Sequence, residues 1–213
     1  MTPLTILIAD DHAVVRAGLR TLLESRTRWQ VCAEAADGRD AVEKASKHKP
    51  NIAILDIGMP LLNGVEATRQ IRKSSPATEI LILTMHESDD LVQQVVEAGA
   101  RGYILKDEAD RVLLDAVQAL SQHKPFFSVR VTEAANTTDA SDNAKSSRSR
   151  LTPREREILQ LLAEGKSNKE VASLLNISVN TAEAHRANIM LKLDFHSLAE
   201  LIMYAIRNNI IRA

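Results

Sequence analysis

The sequence predicts two folded units of different class, an α/β unit built on a parallel sheet and, after it, a small all-α unit. Two observations set the first: short apolar runs alternate with amphipathic stretches about five times over roughly the first 120 residues, and the runs are apolar at nearly every position, as strands buried on both faces require. A third sets the second unit. From Leu151 onward the pattern is purely helical, and three Ser/Thr-x-x-Glu signatures mark helix starts.

Composition is compatible with both. The 213 residues are 45% hydrophobic and 26% charged, enough apolar material for one or two real cores. No apolar run approaches the roughly 18 residues of a membrane span. The opening Met1-Thr-Pro-Leu-Thr-Ile6 lacks the basic flank and long apolar region of a signal peptide. A cytoplasmic location with no membrane partner is expected. The single cysteine, Cys32, has no intrachain disulfide partner and reads as a buried small hydrophobe. Six scattered histidines and one cysteine offer no zinc spacing.

Leu4–Ala9 is a buried strand that ends in two acids, Asp10 and Asp11, before an amphipathic helix carrying Val14, Val15, Leu19, Leu22 and Leu23. Helix capping would explain one of these acids but not both. Trp29–Ala35 is a second strand, and Arg39–Lys47 a helix with Ala41, Val42 and Ala45 inward, closed by Pro50. The third strand, Ile52 to Leu55, stops at Asp56, with Gly58 and Pro60 turning the chain into a helix from Gly64 to Lys73. Glu79–Thr84 is the fourth strand and ends in a hydroxyl. A helix from Ser88 to Ala98 and a turn through Gly99 and Gly102 lead to a short fifth strand, Tyr103 to Leu105, with Lys106 at its end. A last helix runs from about Glu108 to Ser121.

Repeated strand–helix units with right-handed crossovers make a doubly wound sheet, for which the flavodoxin-like order 2-1-3-4-5 is expected. In that order strands one and three are neighbours at the switch point, so Asp10, Asp11 and Asp56 meet on one edge beside Thr84 and Lys106. Three carboxylates so placed repel unless a cation sits among them, and an all-oxygen set of this kind suits Mg²⁺, which favours phosphate as a further ligand. Lysine supplies a point charge for a phosphoryl group, threonine a hydroxyl donor, and aspartate an acceptor that forms an acyl phosphate.

Asp10-Asp11, Asp56-Ile-Gly-Met-Pro60, Thr84 and Gly102-Tyr-Ile-Leu-Lys106 together resemble the receiver domain of bacterial two-component response regulators. The resemblance implies Asp56 as phosphoacceptor, Mg²⁺ held by Asp10, Asp11, Asp56 and the Gly58 carbonyl, Lys106 on the phosphoryl group, Thr84 and Tyr103 as a switch pair, and a sensor histidine kinase as partner. One departure is Asp107, where many receivers have proline after the lysine; a cis peptide, largely an X-Pro feature, is then less expected.

Residues Glu133 to Arg150 contain no Val, Ile, Leu, Met or aromatic residue and are expected to be a flexible linker. The expected domains are 1–123, 124–150 as linker, and 151–213. In the last, Thr152-Pro-Arg-Glu155, Ser167-Asn-Lys-Glu170 and Ser197-Leu-Ala-Glu200 have the capping-box form, and Ser178 caps a fourth helix running through Leu193. Four short helices share one core, and the turn Leu175-Asn-Ile-Ser178 is short enough for a helix-turn-helix. Eight Lys and Arg against seven Asp and Glu give this unit a net charge of only +1. Composition alone therefore leaves a protein-binding bundle nearly level with duplex DNA binding, which rests on Lys169, Arg186 and Lys192 beside Asn168, Thr181 and Asn188.

Leu151-Thr-Pro-Arg-Glu-Arg-Glu157, Glu164-Gly-Lys-Ser-Asn-Lys-Glu170 and Ile177-Ser with Thr181-Ala-Glu-Ala-His-Arg186 are similar to the LuxR-type helix-turn-helix of NarL/FixJ-class response regulators. The resemblance implies double-stranded DNA as partner, phosphate contacts from Lys169, Thr181 and Lys192, and base readout near Glu183, Ala184, Arg186 and Ala187. Ala182 departs from the usual valine and leaves a smaller core residue under the reading helix. Gly165-Lys-Ser167 is not a phosphate-binding loop, for it lacks the earlier glycine, and no G-x-G-x-x-G occurs. The expected protein is a transcriptional regulator, not an enzyme with an outside substrate, that forms a homodimer on phosphorylation. A phosphotransfer enzyme and a protein-binding signalling module are the rival classes.

Overall fold

The computed structural model describes residues 3–85, 88–127 and 151–211. The chain divides into two compact units. The first is a parallel sheet of strands β1 (Leu4–Ala9), β2 (Trp29–Ala35), β3 (Ile52–Asp56), β4 (Glu79–Thr84), β5 (Gly102–Leu105) and β6 (Phe126–Phe127). The order is β2-β1-β3-β4-β5-β6, all parallel. The five-stranded expectation is thus short by one: Phe126 and Phe127 pair with Gly102 and Tyr103 at the sheet's edge, and two residues are too few to show any periodicity. They belong to the segment expected as linker; its remainder, 128–150, lies outside the described residues.

Five helices connect these strands: α1 (Ala13–Glu24), α2 (Gly38–His48), α3 (Gly64–Ser74), α4 (Asp89–Ala98) and α5 (Ala109–Ser121). They cover the sheet from both sides, which is why the strand sequences are apolar at consecutive positions. Leu7, Ala9, Ala53, Leu55, Ile80, Ile82 and Tyr103 pack into one core, with Val65, Ile71, Leu91 and Val95 of α3 and α4. Their strand neighbours Ile6, Ile8, Ile52, Ile54, Leu81, Leu83 and Ile104 pack into the other, with Leu19, Leu23, Leu113, Val117 and Leu120 of α1 and α5. Cys32 is only half-buried, a correction to its reading as a core residue. It occupies a register shift between β1 and β2, its Sγ donates to the Ile6 carbonyl at 3.4 Å, and burial pushes the thiol pKa up.

Among the described residues the second unit has four helices, α6 (Pro153–Ala163), α7 (Asn168–Leu175), α8 (Val179–Leu193) and α9 (Leu198–Arg207). Complete capping boxes start α6, α7 and α9, each pairing a Thr or Ser side chain with a Glu three residues on. Ser178 starts α8 by accepting from the Thr181 N–H at 3.1 Å. Between α7 and α8 the chain turns at Asn176, in the left-handed region with φ +52°. Ile158, Leu161, Leu162, Val171, Leu175, Ala182, Ile189, Leu201 and Ala205 are buried together, so the small Ala182 side chain is fully used as core.

Candidate functional site

Parallel register brings the carboxyl ends of four strands level. Ala9 is opposite Leu55, Asp56 opposite Leu83, and Thr84 opposite Leu105, so Asp10, Asp56, Thr84 and Lys106 emerge along one edge. Asp10, Asp56 and Thr84 are each 1% exposed and Tyr103 not at all. Lys106 lies between the acids, its Nζ 2.6 Å from Asp10 Oδ2 and 3.2 Å from Asp56 Oδ1. Asp10 Oδ1 accepts from the His12 N–H at 2.8 Å, and its carbonyl accepts from Arg16 at 2.7 Å. The N-cap of α1 is His12, so capping accounts for neither acid. The imidazole Nδ1 lies 2.8 Å from Asp11 Oδ1 and 3.2 Å from Asp10 Oδ1.

Asp10, Asp11 and His12 can each offer a ligand atom, all within 4.8 Å of one another. With Asp56, the edge carries three carboxylates and one close ammonium. An oxygen-rich set with surplus negative charge fits a hard divalent cation such as Mg²⁺. Gly58 lies in the turn directly after Asp56. The peptide bond between Lys106 and Asp107 is trans, and residues Lys106–Glu108 form a 3-10 turn into α5.

The loop that follows Asp56 is shaped by close backbone contacts that spacing in the sequence does not reveal. Gly64 starts α3 against the end of β3: a Cβ there would lie 2.3 Å from the Asp56 carbonyl oxygen. At Gly38 a Cβ would lie 1.8 Å from the Leu62 carbonyl oxygen. The loop between them contains a tight turn, with the Leu62 N–H donating to the Pro60 carbonyl at 2.7 Å around Leu61 at φ +64°. Positive φ at a non-glycine residue is costly and is held only by the packing around it. A glycine at the first position of a helix is the available sequence signal in both places, but its reason is visible only where the two backbones meet.

In the helical unit, α8 buries Ala182 and Ile189 and turns its other side outward. Lys169, Thr181, Glu183, Ala184 and Ala187 are exposed, whereas Arg186 is only half-exposed. Lys192, though 40% exposed, is bound inside the domain: its Nζ is 2.7 and 2.8 Å from the two Glu155 oxygens. Burial raises the Glu155 pKa, but the bonds from Lys192 and from the Thr152 N–H and hydroxyl outweigh it and hold the carboxyl below the usual carboxylate value. One carboxylate thus closes the capping box of α6 and pins the last turn of α8. Arg154 fixes the neighbouring junction by donating to the Leu175 carbonyl at 3.0 Å and to Glu157 at 2.7 Å. Neither the Lys192–Glu155 pair nor the Arg154–Leu175 bond is legible from spacing, for those partners lie 37 and 21 residues apart in the chain.

Comparison with known proteins places residues 6–118 in the family described as the response regulator receiver domain and residues 149–205 in the luxR family of bacterial regulatory proteins. The chain is 40% identical to the oxygen regulatory protein NreC of Staphylococcus haemolyticus over 213 residues, covering 97% of this chain and 98% of that one. It resembles a LuxR-family two-component response regulator from Aurantimonas sp. SI85-9A1, with a TM-score of 0.61 and 35% identity over 63% of this chain and 96% of that one. It also resembles the response regulator RcsB in complex with DNA, with a TM-score of 0.60 and 29% identity over 95% and 98% of the two chains.

Proposed function

The chain belongs to the two-component response regulators that join a receiver domain to a LuxR-type DNA-binding domain, and from that premise we propose that Mg²⁺-dependent phosphorylation of Asp56 by a partner histidine kinase controls its hold on duplex DNA. It is a transcriptional regulator rather than a metabolic enzyme. The observation that carries the proposal is the close packing of Asp10, Lys106 and Asp56 at the edge of the sheet.

An Asp56 carboxylate oxygen attacks the phosphorus of the donor's phosphoryl group; the new O–P bond replaces the bond to the donor, which leaves with its electron pair. The product is an acyl phosphate on Asp56. Lys106, already within 3.2 Å of Asp56, follows the charge outward onto the phosphoryl oxygens. Thr84 at the end of the adjoining strand donates its hydroxyl to the same group. Asp10 and Asp11, with Asp56 and the Gly58 carbonyl, would hold Mg²⁺, which supplies neutralisation of the charge on the transferring oxygens. Tyr103 is fully buried, and paired with Thr84 it carries the change at the phosphoryl group toward the surface.

Shifting a two-state population from 1:99 to 99:1 takes about 5.5 kcal/mol, and charge-assisted bonds contribute roughly 1.5–3 kcal/mol each. New bonds to Lys106 and Thr84 are of that order. The output is a homodimer that sets two reading helices on successive half-sites, with Lys169 and Thr181 on the phosphate backbone and α8 in the major groove.

With a small acyl-phosphate donor and Mg²⁺, the full chain should form a base-labile adduct and then bind duplex DNA more tightly, while Asp56→Asn should do neither. Labelling of Asp56→Asn at the parental level would overturn the assignment. Equal solution mass and DNA affinity with and without the adduct would overturn the coupling.

A further inference from the structure

We infer that the reading helix recognises thymine methyl groups, through Leu191 together with Ala184 and Ala187, rather than guanine through arginine or lysine. The inference rests on the DNA-binding reading above and names the chemistry of the bases it selects.

The first observation is which residues point away from the core. Ala182 and Ile189 anchor α8 inward, 1% and 0% exposed. At 3.6 residues per turn the row opposite them is Asn180, Ala184, Ala187 and Leu191, spaced i, i+4, i+7 and i+11. All four are exposed, and Leu191 is 81% exposed, the second most exposed large hydrophobic side chain among the described residues. A leucine standing almost wholly in water on the outermost ridge of a helix contributes nothing to this fold. On a surface that meets DNA it has a use, because the only apolar group on the major-groove edge of a base pair is the C5-methyl of thymine.

The second observation is where the cations are. Guanine is read by a bidentate arginine or lysine on O6 and N7, yet neither cation of α8 belongs to the outward row. Lys192 is bonded to both oxygens of Glu155. Arg186 follows the core flank of the helix and is only half-exposed. What the ridge offers is a terminal amide at Asn180, suited to adenine N6 and N7, then two methyl side chains and a leucine. The two alanines also let the helix backbone approach the groove floor, which brings Ala184 and Ala187 within reach of methyl groups that a longer side chain would hold away. Adenine–thymine pairs are the targets this surface fits.

Deoxyuridine differs from thymidine only by that methyl group and provides the test. The full-length protein, treated with a small acyl-phosphate donor and Mg²⁺, is used to select duplexes from a randomised pool, and each thymine of the selected half-site is then replaced singly by uracil. At least two replacements should weaken binding, each by about fourfold, the factor that corresponds to about 0.8 kcal/mol per apolar carbon removed from water. Full-length Leu191→Ala should lose the uracil penalty at one of those positions and keep it at the others, with an unchanged melting temperature because the side chain is outside the core. Uracil duplexes that bind as tightly as their thymine parents at every position would overturn the inference, and so would a Leu191→Ala protein that keeps every penalty. Selection of no sequence above the random pool would instead overturn the DNA-binding reading, a different result from a selected site that ignores the methyl.

Discussion

Asp10 and Glu155 are both buried carboxylates with a lysine ammonium at hydrogen-bonding distance, 2.6 Å from Lys106 and 2.7 Å from Lys192, yet they do opposite things for the protein. Around Glu155 the charges and donors balance. One ammonium, one backbone N–H and one hydroxyl meet one carboxylate, and the result is a joint between α6 and α8. Around Asp10 they do not, for Asp11 and Asp56 crowd the same edge and Lys106 is shared between two of the three acids. A structural ion pair is closed; a functional one leaves a deficit for a ligand to fill. Burial and distance alone do not separate the two cases, and the number of carboxylates that share one lysine ammonium does.

The largest effect should come from the backbone that shapes the acid edge rather than from any charge on it. Gly38→Ala places a methyl where the Leu62 carbonyl oxygen now stands, 1.8 Å from the ideal Cβ position. Backbone cannot yield as a side chain can, so the cost should reach the upper part of the roughly 1–3 kcal/mol typical of overpacking, or exceed it. Urea unfolding followed by tryptophan fluorescence reads this directly, since Trp29 lies in the first unit. Gly18→Ala, where nothing lies within 4 Å of the added carbon, should be neutral or stabilising and serves as the control. Equal stability of the two variants would mean that the loop is not held as described.

The balanced site should lose stability next. Lys192→Ala leaves Glu155 buried with only its Thr152 bonds, at a cost of about 1–2 kcal/mol, reduced from the value for a fully buried pair because the lysine head is partly solvated. The pH dependence has a fixed sign. The Glu155 pKa is lowered in the folded state from 4.5, so its contribution is complete above about that pH and is lost as pH falls through the lower folded value. The Lys192→Ala protein should therefore differ most from the parent at neutral pH, and the gap should narrow as the solution is acidified. A constant gap between pH 7 and pH 3 would show that Lys192 contributes packing rather than charge. A slope of log affinity against log salt parallel to the parent would likewise separate this structural role from a phosphate contact.

Much of this architecture is legible in the sequence. The bounds of β1, β2 and β4 follow from their apolar runs, and the starts of α6, α7 and α9 from reciprocal Ser/Thr and Glu spacing, because both signals are local. The acid edge was legible for a related reason: parallel strands buried on both faces leave their polar ends as the only charged residues available, so Asp10, Asp56 and Lys106 stood out. What escaped was decided between distant segments. Phe126 and Phe127 become a strand only because β5 is there to pair with. Gly38 is required by Leu62, and Lys192 is claimed by Glu155 across most of the domain. Leu191 escaped for another reason, since an apolar residue at helical spacing reads as core until the structure shows it 81% exposed.

A smaller loss, about 1 kcal/mol, is expected for Ser178→Ala. It removes the acceptor of the Thr181 N–H at 3.1 Å from the start of the reading helix, which lacks the capping box that starts α6, α7 and α9. Thr152→Ala is the comparison, because there Glu155 still bonds the Thr152 N–H at 2.8 Å and retains part of the cap. Thermal melting of the two proteins should show the larger drop for Ser178→Ala. The reverse order would mean that the Thr152 hydroxyl contributes more to Glu155 than the reciprocal bond does.

The smallest expected effect has the opposite sign and tests the comparison most directly. Asp10→Asn keeps the shape of the side chain and removes one of three crowded negative charges. It also weakens the Lys106 pair, but Lys106 retains Asp56 at 3.2 Å, whereas relief of the repulsion among the acids is not otherwise available. The net result without divalent cations should be a gain of about 0.5–1 kcal/mol, the size common when a functional site is relaxed. Glu155→Gln, an equally conservative change at an equally buried carboxylate, should lose stability. Adding Mg²⁺ should raise the melting temperature of the parent and move that of Asp10→Asn much less, because a ligand stabilises only the state that binds it. If Asp10→Asn is destabilised as Glu155→Gln is, and Mg²⁺ moves parent and variant alike, the acid edge is a closed structural network and the distinction between the two carboxylates is wrong.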